Sequence, residues 1–172
     1  MKKIIVIGSG GAGKSTFATQ LGAILNIEVI HLDKLYWKPN WVKTPEDEWS
    51  RIIQNLLKGD SWIMDGNFGG TREMRLRACD TVIWLDLPRR VCMYRILKRT
   101  IVYRRQSRPD MAEGCNERFD WNFIKWVWNY PHRAKSRIMV EIEGLREKRV
   151  IVLKSKREVT EFLTNHPSAR IM

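Results

Sequence analysis

The sequence predicts an α/β protein built on a five-stranded parallel sheet. Three observations carry that prediction. Five short apolar, β-branched runs recur along the 172 residues. Stretches with helical character separate them, and most of the runs end in Gly, Asp or Pro. Strands that alternate with helices need crossover connections, so the sheet is parallel and its ligands lie outside the carboxyl ends of the strands.

The elements follow in order. "KKIIVIGS" is a buried strand that ends in glycine, and Lys14–Leu25 is the helix after it. "IEVIHLD" is a second strand ending at Asp33, and residues 34–46 read as a loop. A helix over Pro45–Lys58 starts on Thr44 as N-cap. "SWIMDG" is the third strand, and "DTVIWLDLP" the fourth, stopped by Pro88. Residues 89 to about 104 are helical, and "RRQSRPDMAEG" is an exposed basic loop. Residues 116–143 are mostly helix, kinked or broken at Pro131. "KRVIVLKS" is the fifth strand, and Glu158–Asn165 a last helix.

Composition narrows the function classes. The chain is long enough for one domain with a real core. No run approaches the about 20 apolar residues of a membrane span. The first apolar stretch is too short for a signal-peptide core and ends in glycines, which predicts a cytoplasmic protein. Cys79, Cys92 and Cys115 match neither a zinc pattern nor a disulfide framework and read as buried or incidental thiols. Residues 89–157 carry 19 basic and 7 acidic side chains and hold essentially the whole net charge of +12. Such a run is a solvated face, or a surface for polyphosphate or nucleic acid.

Residues 8–16 read "GSGGAGKST", where two nucleotide-binding patterns overlap. Gly8, Gly10 and Gly13 satisfy G-x-G-x-x-G, and Asp33 lies 20 residues beyond Gly13, where a dinucleotide site holds a ribose. Gly8, Gly13, Lys14 and Ser15 satisfy the P-loop, G-x-x-x-x-G-K-[ST]. Lys14 decides for the P-loop, because a pyrophosphate in a dinucleotide site needs only backbone N–H groups. In a P-loop the Lys reaches the β- and γ-phosphates and the next hydroxyl binds Mg²⁺. The acid that such a site needs on a neighbouring strand is Asp65 in "WIMDG", with Asp86 in "WLDLP" as competitor.

This order of features resembles the adenylate-kinase-like P-loop kinases over nearly the whole chain. "WIMDGNF…R" is similar to the "DGFPR" segment of that family, and "VIWLDLPRR" to its fourth strand and the start of its lid helix. "HLDKLYWKP.W", "WIMDGNF" and "FIKWVWNYP" most resemble the small DNA topology modulation proteins within it. The resemblance implies one three-layer P-loop NTPase domain over 1–172, with strand order 2-3-1-4-5 and helices on both faces. It further implies an acceptor segment at about 34–60, a short Arg-rich lid at about 100–118, and MgATP as phosphoryl donor. "DGNFGGTR" lacks the Pro-Arg pair that grips a monophosphate in that family, and the lid has no zinc cysteines.

Residue roles follow. Gly8, Ser9, Gly10, Gly11, Ala12 and Gly13, with Thr16, form the N–H cradle for ATP; Lys14 neutralises phosphate charge, and Ser15 with Asp65 holds Mg²⁺. The resemblance makes Asp33 the group that orients or deprotonates an acceptor hydroxyl; a structural strand-end Asp is the alternative. Arg95 and Arg99 share a helix face and are the leading lid ligands for the γ-phosphate, with Arg104, Arg105 and Arg108 continuing into the loop. Arg72 and Trp37 are acceptor contacts, with Tyr36 and Trp41 beside the latter. Lys154–Arg157 border the adenine. Phe119, Phe123, Trp126 and Tyr130 form one helix stripe, read first as core and second as a base-stacking face among Lys125, Arg133 and Lys135. Two functions stand: transfer of phosphate to a small acceptor, or a nucleic-acid-associated ATP-binding protein using the 89–157 basic face. Oligomeric state stays open.

Overall fold

β1 (Lys3–Gly8) is the centre of the sheet, because its residues are apolar on both faces. In the computed structural model, which describes residues 1–104, 106–145 and 147–165, it pairs in parallel with β5 (Trp62–Asp65) and β6 (Thr81–Leu85). β2 (Val29–His31) lies outside β5, and β7 (Arg149–Leu153) outside β6. The order β2-β5-β1-β6-β7 is the expected 2-3-1-4-5. Arg105, Arg146 and residues 166–172 lie outside the described residues, which takes in the expected lid position of Arg105.

Successive residues of a strand point to opposite faces, so β1 seeds two cores. Ile4 and Val6 pack with Phe17 and Leu21 of α1 (Lys14–Leu25) and Ile96 of α5 (Arg89–Val102). Ile5 and Ile7 pack with Trp49 and Ile53 of α3 (Glu46–Leu56) and Leu76 of α4 (Gly69–Ala78). Ile124 and Val127 of α6 (Trp121–Trp128) join the first core, and Ile138 of α7 (Ser136–Glu143) the second. Helix α8 (Lys156–Thr164) starts two residues earlier than expected, capped by Ser155. No helix of the described residues is long and apolar enough to cross a membrane.

Several expectations need correction. Residues 34–46 are not a plain loop. They form a helical turn, α2 (Leu32–Tyr36), then an antiparallel ribbon of β3 (Trp37–Lys38) and β4 (Val42–Lys43). Thr44 is not the cap of α3; its Oγ1 donates to Tyr36 O at 2.6 Å and ties the ribbon shut. Instead three acids, Glu46, Asp47 and Glu48, occupy the first turn of α3 and meet its positive end. α4 opens with two glycines and has no apolar stripe, so the sequence does not announce it. The helix after α6 is kinked as expected, by a π-helical turn over Pro131–Lys135 that absorbs the missing proline N–H.

One buried cation fixes the strand-end turn after β5. Arg75 has 0% exposure, and its guanidinium donates to Gly66 O (3.0 Å), Asn67 O (2.7 Å) and Phe68 O (3.0 Å). Burial lowers its proton affinity, and neighbouring Arg72 adds to that effect. Arg75→Met leaves those carbonyls short of donors, so we expect a loss of about 3 kcal/mol in urea unfolding. A loss below about 0.5 kcal/mol, the size of a surface change, would show that the turn holds without it.

Candidate active site

The turn from β1 into α1 has no room for side chains. A Cβ on Gly10 would stand 2.8 Å from both Phe123 Cζ and Val127 Cγ2. Gly11 has φ +75°, a region that favours glycine, and its Cβ would sit 2.3 Å from Cys92 O. α5 and α6 therefore press directly on this loop. Asn67 clasps it from β5's side, donating Nδ2 to Gly8 O (2.8 Å) and accepting from Gly8 N (3.2 Å).

Lys14 lies inside the turn and donates to Gly8 O (3.1 Å) and Ser9 O (3.0 Å). Burial pushes its ammonium below the usual lysine value, while Asp33 and Asp65 pull it back up. Burial raises the Asp33 carboxyl above the usual carboxylate value, and Lys14 opposes the rise. Asp65 is 4% exposed, and its Oδ1 accepts from His31 Nδ1 at 2.7 Å. That contact, first through its hydrogen bond, raises the His31 pKa.

Two arginines of α5 project from the opposite wall. Arg95 Nη1 donates to Ala12 O at 2.9 Å, fastening the wall to the turn. Arg99 Nε donates to Glu117 Oε1 at 3.0 Å, and Arg108 Nε lies 3.0 Å from Glu117 Oε2. Arg108 also reaches Asp110 Oδ2 at 3.0 Å. Glu117 is buried, so two like charges are held side by side by one carboxylate. Burial lowers the Arg99 pKa, Arg108 lowers it further, and Glu117 works against both.

All this surrounds one cavity of about 1190 Å³. Gly10, Gly11, Gly13, Lys14, Ser15 and Thr16 line one end, with Arg95 and Arg99 over them. His31, Asp33, Trp37, Trp41 and Phe68 line the other. A strand-to-helix turn with a half-buried ammonium inside it and a hydroxyl beside it is a donor set that suits phosphate.

The overall arrangement has known counterparts. The chain has the P-loop kinase fold. A shikimate kinase from Acinetobacter baumannii, solved in complex with shikimate, superposes with a TM-score of 0.61 at 16% identity, covering 96% of this chain and 90% of that one. A shikimate kinase from Bacteroides thetaiotaomicron gives 0.54 at 16% identity, over 94% of both chains. A gluconokinase from Sinorhizobium meliloti gives 0.55 at 13% identity, over 96% and 89%. By sequence, no family model and no curated protein matches the chain.

Most of the residues singled out from the sequence meet in the cavity, but several do not, among them Gly8, Ser9, Ala12 and Tyr36, which stand next to it without lining it. Arg72, expected on the acceptor, forks onto Glu141 with bonds of 2.5 and 2.7 Å and does not line the cavity. Asp65, expected on the metal, stands behind His31 and does not line it either. Asp86, the competitor, is paired with Lys135 at 2.6 Å. Lys154, Lys156 and Arg157 are exposed and away from the cavity. The basic lid loop is not uniformly exposed, since Met111, Cys115 and Glu117 are buried in it. The aromatic stripe is split: Tyr130 is core, Phe123 and Trp126 line the cavity, and Phe119 is exposed.

Sequence reasoning passed over His31, Asn67 and Glu117. β2 ends at His31 rather than at Asp33, which sits two residues on in the first turn of α2, and that spacing was a usable signal. Nothing in the local sequence marks Glu117. Replacing it with Gln leaves Arg99 and Arg108 facing each other across a neutral amide. We expect a thermal midpoint lower by about 5 °C, from roughly 2 kcal/mol lost. Adding Arg108→Met should recover part of that loss; a strictly additive double variant would mean that the carboxylate does not couple the two.

Proposed function

We propose that the protein transfers the γ-phosphate of ATP to a hydroxyl group of a small acceptor. The observation that carries this reading is the joint cavity: Lys14 and Asp33 face it together, with Asp33 half-buried and tied electrostatically to Lys14. Bound MgATP supplies the phosphoryl group and a divalent charge that offsets its oxygens.

The chain's own residues do the rest. The backbone of Gly8–Gly13, with Ser9, Ala12 and Thr16, cradles the phosphates, and Lys14 meets the charge on the β- and γ-oxygens. Ser15 offers its hydroxyl to Mg²⁺. Asp65 acts from behind His31, orienting that ring toward the cavity, rather than as a direct ligand. Arg95 and Arg99 stand over the turn, where negative charge grows as the bond to the leaving group breaks. Asp33 takes the proton of the acceptor hydroxyl. The acceptor oxygen bonds to the γ-phosphorus, the bond to the β-phosphate oxygen breaks with its electron pair, and ADP leaves.

A second reading keeps the likeness to DNA topology modulation proteins, with nucleic acid on the 89–157 face. One observation favours it: Trp121 and Trp128 are 57% and 45% exposed on α6, with Lys125 and Arg89 against their rings. Binding there would weaken steeply with salt, whereas transfer to a small acceptor would not.

Lys14→Ala should cut ADP release from MgATP by about a hundredfold or more. Asp33→Asn should lower kcat by about 10²–10⁴ with nucleotide affinity kept. Because the folded-state pKa of Asp33 is raised, the native state binds more protons than the unfolded one. Stability is therefore lost as pH rises from the unfolded value through the folded one. Above the folded-state value that loss is complete, so there Asp33→Asn should also raise the thermal midpoint. An Asn variant with full kcat would remove Asp33 from the chemistry, and an unaffected Lys14→Ala would overturn the kinase reading.

A further inference from the structure

The acceptor end of the cavity differs in chemistry from the phosphate end. Its surface is aromatic: Trp37, Trp41 and Phe68 are half-buried and turn their remaining ring surface into the cavity. They belong to one chain of edge contacts, in which Trp41 meets Trp37 at 5.5 Å, Trp37 meets Tyr36 at 5.0 Å, and Tyr36 meets Phe68 at 4.7 Å.

The backbone is strained to put two of these rings there. Trp41 has φ +63° and Phe68 φ +26°, and Asn40 beside Trp41 has φ +63°. A bulky residue in that region is an outlier, and such outliers gather where a side chain must be aimed. Trp41 is further fixed by its Nε1–H, which donates to Asn116 O at 3.1 Å. Phe68 is fixed by the Arg75 clamp on its carbonyl. Packing alone would not need a strained turn at the mouth of a cavity.

The cations that would grip an acidic acceptor are already engaged. Arg72 is forked onto Glu141, and Arg108 is paired with both Asp110 and Glu117. Four carboxylates, Asp33, Asp110, Glu117 and Asp120, line the cavity and offset its cations. Among the described residues, the other cations at this end are Lys43 and Arg118. Both are solvent-exposed, and Arg118 lies over the Trp41 ring. The space also exceeds the about 300–1,000 Å³ of a site for one small molecule, which leaves room for a second ligand beside a nucleotide.

We infer that the acceptor is an uncharged nucleoside, its base against Trp37, Trp41 and Phe68 and its free hydroxyl at Asp33. The inference rests on the phosphotransferase reading and names its substrate class. A nucleoside joins a flat base to a primary hydroxyl through one sugar. Stacking on rings tolerates every base, and Asp110 and Arg118 supply an acceptor and donors for a base edge. The products are ADP and the nucleoside monophosphate, with the hydroxyl proton passing to Asp33 and then to water.

The test pairs binding with turnover. Calorimetry is run with the phosphate end filled by a non-hydrolysable ATP analogue, titrating nucleosides, their 5′-monophosphates and shikimate. ADP release from MgATP is measured with the same panel. We expect heat and stimulated ADP release with nucleosides, and at least tenfold weaker responses with the two acids. Trp41→Ala should raise the nucleoside KM about tenfold with kcat and the ATP KM little changed, and Trp41→Phe should restore most of it. No heat with any nucleoside, or tighter binding and faster turnover with a monophosphate or shikimate, overturns the inference. In the latter case the kinase reading stands. Nucleoside binding without ADP release from any acceptor overturns the kinase reading while the site keeps its ligand class.

Discussion

The structure depends on how closely its neighbours approach the turn after β1. Backbone and side chains of β6, α5 and α6 come so near to Gly8, Gly10 and Gly11 that one methyl group at any of them would collide. That closeness fixes the two arginines of α5 over the phosphate end and Phe123 of α6 beside it. The loop is thus the point from which the other parts take their distances. The loop opens α1, and a helix N-terminus favours an anion beside it.

Charge in the cavity is arranged by pairing rather than by excess. The sequence carries a net +12, yet the arginines nearest the site are mostly committed: Arg99 and Arg108 to Glu117, Arg108 again to Asp110, Arg95 to a carbonyl. Like-charged guanidiniums brought this close would repel in a half-dry pocket, and the shared carboxylate makes the arrangement tolerable. Asp33 is the contrasting case: desolvation raises its pKa, while Lys14 and Arg108 pull it back down without an ion pair among the described residues.

The sheet was legible because its strands are short β-branched runs ending in turn residues, and such runs leave few alternatives. The P-loop was legible because Lys14 and Ser15 follow its glycines on a strand-to-helix turn. Other parts had no local mark. Arg72 and Arg75 lie one turn apart on α4, and nothing in "TREMR" tells which faces the interior, which the solvent or which a partner. In the sequence Asp65 and Asp33 both read as strand ends, although Asp33 lies in the first turn of α2, so the pattern could not separate the carboxylate that faces the cavity from the one that stands behind a histidine. Glu117 meets its cations 9 and 18 positions away, and the ribbon of β3 and β4 depends on Thr44 closing back onto Tyr36.

The π-helical turn at Pro131–Lys135 joins α6 to α7 with a wider loop than an α-helix uses. Each residue of an α-helix advances the side-chain direction by about 100°, so a single extra residue shifts the phase of everything after it. α6 can therefore present Phe123 and Trp126 to the cavity while α7 presents Glu141 to Arg72 on the other side of the sheet. Two successive helical segments joined by that turn reach two targets at two angles. Its proline works like a deliberate frame shift, written into the backbone instead of into the side chains.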